Sequence, residues 1–451
     1  MEAINHKVLD SRISGVLVPE LESIIKELRA FIDEARASEL VSINPRRIAK
    51  DRGLEELSTI RAFLHLTQAG VFDLSWAVHC PHCKGSPPGE HSMIDLRHDA
   101  FCPVCKVDFE ARFDQNVELT FSINPSVAEL TDVDNFEVVM GSVELEPGIS
   151  LNLEPGEKHR LEMPISPGNY WLLCKGSKQV INIPVSTGSA KDSPPDSTSK
   201  LSVSFSERDD PVRVFPFNDG TLELDVTNNS GNDLEFVFSK ARNAAWTDAA
   251  LVSSLQEFRD MFAREMVSPE ESFSIENICI IFTDIKSSTE MYERLGDSKA
   301  FYLVKEHFKI LEDVVAANDG AVVKTIGDAV MAVFTTPRKA LVAAKSMIEA
   351  FEETQNRQRM ENTVIVKVGA HLGPCIAVSL NDRLDYFGTT INMAARIQGL
   401  SDGRDVMISQ RLFDEGDAAG LFKDGRWRWD TFQTSLKGLS ASHPVCKLYF
   451  D

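Results

Sequence analysis

Two aspartates stand where strands are expected to end, and carboxylates fixed in that way are suited to binding divalent cations. The apolar run at residues 278–282 leads through one further residue into Asp284, and two β-branched runs within residues 321–334 are separated by a Gly-Asp turn that contains Asp328. A pair of hard cations about 3.5–4 Å apart can clamp the attacking and leaving oxygens of a phosphoryl displacement. Each aspartate alone also fits a structural role, as a helix cap or a turn residue.

The surrounding pattern predicts the elements that position these carboxylates. Residues 290–317 have the spacing of a long amphipathic helix, with Ser288 or Thr289 as its cap, and the amide groups at such a helix start favour phosphate oxygens. Further along, the pattern predicts a helix at 337–353, a strand at 364–372 and a helix at 389–400. Strand, helix, hairpin, helix, strand and helix in this order predict an α+β domain with an antiparallel-rich sheet backed by helices.

Four more polar residues in this half are candidates for substrate contacts. Lys324 lies in the first strand of the hairpin, and Asp385 precedes the last of these helices. Asn392 and Arg396 are four residues apart, so they share one helix face and can address one ligand together. Each of the four, taken singly, also fits a solvated or paired surface group.

Three motifs give residues from about 276 to 415 a resemblance to the catalytic domain of the class III nucleotidyl cyclases. The motifs are FTDIKSST at 282–289, KTIGD at 324–328, and DYFG at 385–388 followed by INMAAR at 391–396. The resemblance implies that Asp284, Asp328 and the backbone of Ile285 bind two Mg²⁺ or Mn²⁺ ions in each site. Thr283 and Ser288 are expected to contact the substrate.

The same resemblance implies roles for the four polar residues. Lys324 and Asp385 match the pair that recognises adenine, Asn392 matches the residue that orients the ribose, and Arg396 matches the residue that stabilises the transferring phosphate. Guanylate cyclases are similar but carry Glu and usually Cys at the two base-recognising positions. The expected reaction is therefore that of an adenylate cyclase, which converts ATP to cyclic AMP and pyrophosphate.

The resemblance also bears on assembly, because the family builds its site across a head-to-tail dimer. In the family one protomer supplies the metal-binding aspartates, and the other supplies the base-recognising pair with the asparagine and the arginine. This chain carries both sets of residues and one copy of the domain, so a homodimer with two equivalent sites is expected. The alternatives are a cyclase for another nucleotide, GTP or a pyrimidine; a nucleotide-binding pseudo-cyclase that signals without turnover; and a zinc-ribbon DNA-binding regulator with an appended nucleotide sensor.

Four cysteines form two CxxC pairs in the amino-terminal half. Cys80 and Cys83 are followed, after eighteen residues, by Cys102 and Cys105. This spacing predicts a structural zinc ribbon in which four thiolates complete a tetrahedron. A set of reduced thiols or a redox pair is the alternative.

The rest of the sequence indicates a multidomain chain. The expected domains are a helical one at 1–78, with a winged-helix-like unit as one option; the zinc ribbon at 79–110; an antiparallel β-sandwich at 111–242 with an exposed loop at 186–200; a connector helix at 243–275; and the catalytic domain at 276–451. Through WAVHCPHC at 76–83, the second CxxC pair and the β-rich run after it, the half before the catalytic domain resembles an uncharacterised bacterial module found ahead of such domains. It is expected to regulate the enzyme through an unknown ligand or protein.

Composition excludes some functions. The 451 residues include 47 Lys plus Arg against 68 Asp plus Glu, a formal net charge of −21, which disfavours binding to nucleic acid or to anionic membranes. No apolar run reaches the roughly 18 residues that span a bilayer, and the start lacks a secretory segment. A cytoplasmic protein with no membrane span is expected.

Overall fold

The computed structural model describes residues 4–81, 91–102, 107–130, 148–175, 179–186, 198–206, 212–241, 246–358, 364–423, 426–438 and 442–450. The chain divides into two compact units. Unit 1 contains residues 1–91, 99–111 and 118–247, and unit 2 contains residues 92–98, 112–117 and 248–451. The following paragraphs treat each unit separately.

Unit 1 begins with helices and two separate two-stranded sheets. Its first elements are α1 (His6–Ile13), α2 (Glu22–Glu34), α3 (Pro45–Arg52), α4 (Glu56–Gln68), β1 (Phe72–Val78), β2 (Asp99–Cys102), β3 (Val107–Glu110) and β4 (Val117–Ile123). Strand β1 pairs with β4, and β2 pairs with β3. Phe63 of α4 contacts Phe72 and Phe121, with ring centroids 4.8 and 5.0 Å away, so this aromatic cluster joins the helices to the β1–β4 pair.

A β-sandwich forms the remainder of unit 1. Its strands are β5 (Ile149–Leu153), β6 (Lys158–Ile165), β7 (Gly168–Lys175), β8 (Gln179–Ser186), β9 (Thr198–Phe205), β10 (Val212–Val214), β11 (Phe217–Asn218), β12 (Gly220–Asn228) and β13 (Leu234–Lys240). Among the described residues one sheet has the order β10-β8-β7-β13-β5, with β11 also on β8, and the other has the order β6-β12-β9. Alternating apolar residues from both sheets share one core.

The expectation of a purely antiparallel sandwich is wrong in one respect. Strands β9 and β12 pair in parallel, as do β8 and β10. Parallel neighbours cannot be joined by a tight turn, so turn residues in a sequence identify only antiparallel neighbours. Residues 187–197 of the expected exposed loop lie outside the described residues, and residues 198–200, also expected in that loop, form the start of β9.

Unit 2 is built on one large sheet. Its elements are α5 (Ala249–Ser253), α6 (Gln256–Met261), β14 (Phe273–Ile285), α7 (Ser288–Leu295), α8 (Asp297–Ala317), β15 (Ala321–Ile326), β16 (Ala329–Phe334), α9 (Pro337–Gln358), β17 (Val366–Leu380), β18 (Arg383–Phe387), α10 (Thr389–Gln398), β19 (Val406–Ser409), α11 (Gln410–Glu415), α12 (Ala418–Leu421), β20 (Trp427–Ser435) and β21 (Ser442–Phe450). The strand order is β15-β16-β14-β17-β19-β21-β20, and β18 pairs with β17. Only the β17–β19 pair is parallel among the described pairs of this sheet, which confirms an antiparallel-rich sheet.

Helices cover both faces of the central strands. Cys279 and Ile281 of β14 pack on one face with apolar residues of α9, in a core made of residues from both the sheet and the helices. Helix α10 packs on β17 at Gly369, where an added Cβ would lie 2.2 Å from the Cα of Gln398. A glycine is therefore needed there, because its missing side chain lets α10 approach the sheet.

Two helices expected from the sequence are broken. The segment expected as one connector helix contains the short helices α5 and α6, because Leu255 between them has an extended backbone (ψ 132°). The long helix expected at 290–317 is divided into α7 and α8 at Gly296, whose φ of 75° is incompatible with a continuous right-handed helix. The amphipathic pattern continues across both breaks, so it does not reveal them.

In the part of the chain that the structure describes, none of the helices combines the length and the apolar composition needed to cross a membrane.

Candidate active site

The two aspartates predicted to bind metal lie side by side at one end of the sheet. Asp284 is near the end of β14, and Asp328 is in the turn between β15 and β16. Thr283, which precedes Asp284, is paired with Val330, two residues after Asp328, so the strand pairing places the two aspartates at the same end. Burial and the nearby carboxylate of Asp328 raise the pKa of Asp284 above its ordinary value. Lys367, directly across from Asp284 on β17, acts in the opposite direction.

These two carboxylates could hold a divalent cation. Within the described residues, Oδ2 of Asp328 is buried and has no hydrogen-bond partner, although a buried carboxylate oxygen normally has one. Two partly buried carboxylates in contact repel each other, and a bound cation would remove that repulsion and satisfy the free oxygen. No third His, Cys, Asp or Glu joins them as a metal-binding group in the described part of the chain.

His307, which sequence reasoning did not single out, adds a buried polar group near Asp328. It lies on α8 and is 1% exposed, and neither ring nitrogen has a hydrogen-bond partner among the described residues. Burial lowers the pKa of His307 to about 4, against the opposite effect of the Asp328 carboxylate, so the ring is neutral at pH 7. The sequence does show that His307 has helical spacing with Ala300, Val304 and Leu311, which are buried on the same helix, and this spacing could have indicated a buried histidine.

The other residues predicted around this end of the sheet differ in accessibility. Thr283 is 1% exposed, so its side chain is closed to a substrate and a contact would have to come from its backbone. Ile285 is also buried and is the last residue of β14. Ser288 is the first residue of α7 and is partly exposed, while Ser287 before it, in a left-handed conformation with φ 54°, occupies the cap position expected for Ser288 or Thr289.

Lys324 and Asp385 form the second pair that the structure brings together. The ammonium nitrogen of Lys324 lies 2.5 Å from Oδ2 of Asp385, and the backbone N–H of Tyr386 donates a hydrogen bond of 2.8 Å to the other carboxylate oxygen. Asp385 is 5% exposed, whereas the Lys324 side chain is 33% exposed. The ammonium also lies 5.6 Å from the ring centroid of Phe387, an exposed aromatic side chain. The acid is thus fixed, and the lysine is the accessible partner.

Asn392 and Arg396 lie on α10, as the sequence predicts. Asn392 is exposed, and Arg396 is partly buried with its guanidinium beside Gly438. No hydrogen bond or ion pair joins either residue to the Asp284–Asp328 pair in the ranges that the structure describes. The predicted site residues therefore form two close pairs and a separate helix face.

The predicted zinc ligands are only partly described. Cys80 and Cys102 are buried and pack in one small cluster with Val107 and Phe109. Cys83 and Cys105 lie outside the described residues. The cluster brings one cysteine of each CxxC pair together.

Comparison with known families finds one match in each half of the chain. Residues 270–423 match the adenylate and guanylate cyclase catalytic domain. Residues 18–234 match a family of unknown function, DUF5939.

The curated relatives to which the chain is similar include enzymes named for both bases. The match to the adenylate cyclase of Lachancea kluyveri is 32% identical over 184 residues and covers 37% of this chain and 10% of that protein. The match to adenylate cyclase 1 of Rhizobium meliloti is 27% identical and covers 30% of this chain and 22% of that protein. The match to guanylate cyclase 32E of Drosophila melanogaster is 26% identical and covers 32% and 13%. The chain thus spans less than a quarter of the length of these relatives.

Among solved structures, the chain is similar to the adenylyl cyclase CyaB from P. aeruginosa, with 20% identity and a TM-score of 0.34 over 40% of this chain and 97% of that one. The carboxyl-terminal half of the chain carries, at residues 270–423, a catalytic domain of the adenylate and guanylate cyclase family.

Proposed function

We propose that the chain is an adenylate cyclase that converts ATP to cyclic AMP and pyrophosphate. The observation that supports ATP most directly is the pairing of Lys324 with Asp385 within a domain of the cyclase family. An ammonium group donates hydrogen bonds and a carboxylate accepts them, so together they complement ring nitrogen N1 and the 6-amino group of adenine. Guanine has the opposite polarity at both positions, and unpaired polar groups in the site would disfavour GTP.

The remaining residues have roles that follow from their chemistry. Asp284 and Asp328, with the backbone of Ile285, are proposed to hold two Mg²⁺ or Mn²⁺ ions. When bound, such ions favour loss of the ribose 3′-hydroxyl proton and neutralise the triphosphate. Asn392 orients the ribose so that the 3′-oxygen lies in line with the α-phosphorus.

Arg396 stabilises the α-phosphate while its bonds change. The 3′-oxygen forms a bond to the α-phosphorus, and the bond to the β-phosphate oxygen breaks, so that pyrophosphate leaves with the electron pair. Negative charge grows on the α-phosphate oxygens during this step, and a guanidinium placed there stabilises it.

The proposed assembly is a head-to-tail homodimer. The resemblance supports this assembly, because in the family the two sets of site residues come from different protomers. A second copy of the chain would bring its Asn392 and Arg396, together with its Lys324–Asp385 pair, to the first copy's Asp284 and Asp328, and two equivalent sites would result.

The amino-terminal half is proposed to regulate the cyclase and to contain a zinc ribbon formed by Cys80, Cys83, Cys102 and Cys105. The shared cluster of Cys80 and Cys102 supports this arrangement. Metal analysis of the purified chain should find stoichiometric zinc, and a zinc-free protein with unchanged thermal stability would contradict the ribbon.

The experiment that tests the function is product analysis with ATP, GTP, CTP and UTP in separate reactions with Mn²⁺. Cyclic AMP as the main product supports the proposal. Cyclic GMP as the main product would instead support a guanylate cyclase, the alternative favoured by the similarity to guanylate cyclase 32E. Nucleotide binding without a cyclic product from any of the four would support a pseudo-cyclase.

A further inference from the structure

Helices α5 and α6 contact the strand that carries Asp385 through a buried serine–tyrosine pair. Oγ of Ser253 lies 3.0 Å from the hydroxyl oxygen of Tyr386, and the tyrosine hydroxyl also lies 3.3 Å from the backbone oxygen of Ser253. Both residues are fully buried or nearly so, with exposed fractions of 0% and 1%. Tyr386 directly follows Asp385, so Ser253 fixes the strand immediately beside the base-recognising acid.

Arg259 of α6 holds the residue on the other side of Asp385. Its Nη1 donates a hydrogen bond of 3.0 Å to the backbone oxygen of Leu384, and its Nε donates one of 2.8 Å to the backbone oxygen of Ser253. The guanidinium carbon lies 5.3 Å from the centroid of the Tyr386 ring. Hydrogen bonds from a charged donor are stronger than neutral ones, so Arg259 holds Leu384 firmly. Together with the contact between Ser253 and Tyr386, this means that both neighbours of Asp385 are held by the same short segment.

The same segment contacts the strand that carries Lys324. Oε1 of Gln256 accepts a hydrogen bond of 2.8 Å from the backbone N–H of Val322 on β15. Strand β15 is at the end of the sheet order, and its register with β16 shifts between Val322 and Lys324. Such a bulge changes the direction of the next side chains and leaves backbone groups unpaired in the ladder. Gln256 therefore fixes the edge strand at the irregularity that sets the direction of Lys324.

We infer that residues 253–259, called the clamp below, are positioning residues that set the separation of Lys324 and Asp385 and thereby the affinity and selectivity for the purine base. The inference rests on the proposed function, because it assigns base recognition to that pair. Its basis is geometric: one segment holds two strands that have no direct pairing with each other, each within two residues of a base-recognising side chain. A small displacement of either strand would change a distance on which base recognition depends.

The first test compares Gln256→Met with Gln410→Met in the full chain. Both glutamines are partly exposed, and each donates a hydrogen bond to the aspartate four residues later, at 2.9 Å to Asp260 and 2.8 Å to Asp414. Only Gln256 contacts the strand of Lys324. The probe is 3′-deoxy-ATP, which lacks the attacking 3′-hydroxyl and therefore cannot be turned over. Its binding in the presence of Mn²⁺ is measured by calorimetry.

Gln256→Met should weaken binding of 3′-deoxy-ATP by about fivefold to tenfold, as expected for loss of one hydrogen bond, and Gln410→Met should leave it unchanged. In turnover assays, KM for ATP should rise by a similar factor, kcat should change by less than about twofold, and the preference for ATP over GTP should fall. Equal affinity and equal base preference in the two variants would overturn the inference.

A second pair of variants keeps the test decisive if Gln256→Met does not fold. Ser253 and Ser254 are adjacent and fully buried, but Oγ of Ser254 donates to the backbone oxygen of Leu251 rather than contacting Tyr386. Ser253→Ala should weaken binding of 3′-deoxy-ATP by about threefold, and Ser254→Ala should not. Equal affinities in this pair would also overturn the inference.

Failure of the proposed function would look different. If the wild-type chain makes no cyclic nucleotide but Gln256→Met still loses affinity for 3′-deoxy-ATP relative to Gln410→Met, the clamp stands as part of a purine-binding site and the cyclase proposal fails. If the wild-type chain makes cyclic AMP but the paired variants behave alike, only the clamp fails.

Discussion

The ammonium group of Lys324 lies 2.5 Å from the carboxylate of Asp385, although the two residues are 61 positions apart and lie on strands that do not pair with each other. Each partner satisfies the other's charge, so the pair is stable before any base arrives. In the proposed site adenine would replace this interaction, because its N1 can accept from Lys324 and its 6-amino group can donate to Asp385, whereas guanine places a donor and an acceptor in the reverse order at these two positions.

Reversing the polarity of this pair should reverse the base preference. In the variant Lys324→Glu with Asp385→Cys, the site takes the residue types of the guanylate cyclases, and kcat/KM for ATP should fall by about 10³-fold while that for GTP rises. The control Lys309→Glu, on an exposed face of α8, makes the same charge change as Lys324→Glu alone, at a position away from the pair. Retained ATP preference in the double variant would contradict base recognition by this pair.

Metal binding should appear as a stability effect that depends on Asp328. Adding Mn²⁺ to the wild-type chain should raise the melting temperature of unit 2, because a cation offsets both the burial and the repulsion from Asp328 that raise the pKa of Asp284. Asp328→Asn should remove most of this Mn²⁺ effect without lowering the melting temperature in the absence of metal. The control Asp313→Asn changes an exposed carboxylate and should keep the full effect. An unchanged Mn²⁺ effect in Asp328→Asn would argue against the carboxylate site.

Mixing two inactive variants should restore activity if each site is shared by two copies of the chain. Asp284→Asn removes a carboxylate and Arg396→Ala removes the guanidinium, so each homodimer has two defective sites. A hybrid dimer concentrates both defects in one site and leaves the other intact. Mixing equal amounts should restore about a quarter of the wild-type rate for random exchange between dimers. No recovery under conditions of demonstrated subunit exchange would exclude a shared site.

Acid should weaken unit 2 through its buried histidines. Burial lowers the pKa of both His307 and His371 to about 4, below the ordinary value of 6.5. As pH falls through 6.5 the unfolded chain binds protons that the folded chain does not, so the free energy of unfolding falls until about pH 4. At pH 5 each histidine should account for about 2 kcal/mol of this loss.

Hydrogen exchange in peptides from β14 and β17 measures this effect, because His371 lies across from Ile280 in that strand pair. After correction for intrinsic exchange rates, His371→Leu should lose about half as much local stability between pH 7 and pH 5 as the wild-type chain does. Equal losses in the two proteins would rule out His371 as a source of acid sensitivity.

Much of the fold followed from hydrophobic patterning. The run of β-branched residues before Asp284 and the Gly-Asp turn before Ala329 predicted β14 and the β15–β16 hairpin, because both patterns are local. The breaks at Leu255 and Gly296 were missed, since the apolar spacing continues through them and only the backbone angles reveal them. Parallel pairing of β9 with β12 was missed because it depends on contacts between strands far apart in sequence.

The candidate site shows the same division. Asp284, Asp328, Lys324 and Asp385 were found from motifs, and the structure adds that they form two pairs. His307 was not found, because a histidine in a series of buried helix positions looks like a core residue until its unpartnered nitrogens are known. Gln256 and Arg259 were not found because their importance lies in contacts with the backbone of Val322 and Leu384, which a sequence does not record.

The most direct test of the account measures, by mass spectrometry, the formation of cyclic AMP from ATP and Mn²⁺ by the purified chain. The variant Asp328→Asn, prepared in the same way, is measured in parallel. We expect cyclic AMP and an equal amount of pyrophosphate from the wild-type chain, and a rate lower by about 10³-fold or more from the variant. No cyclic AMP from the wild-type chain, or equal rates from the two proteins, would contradict the proposal that this site is an adenylate cyclase.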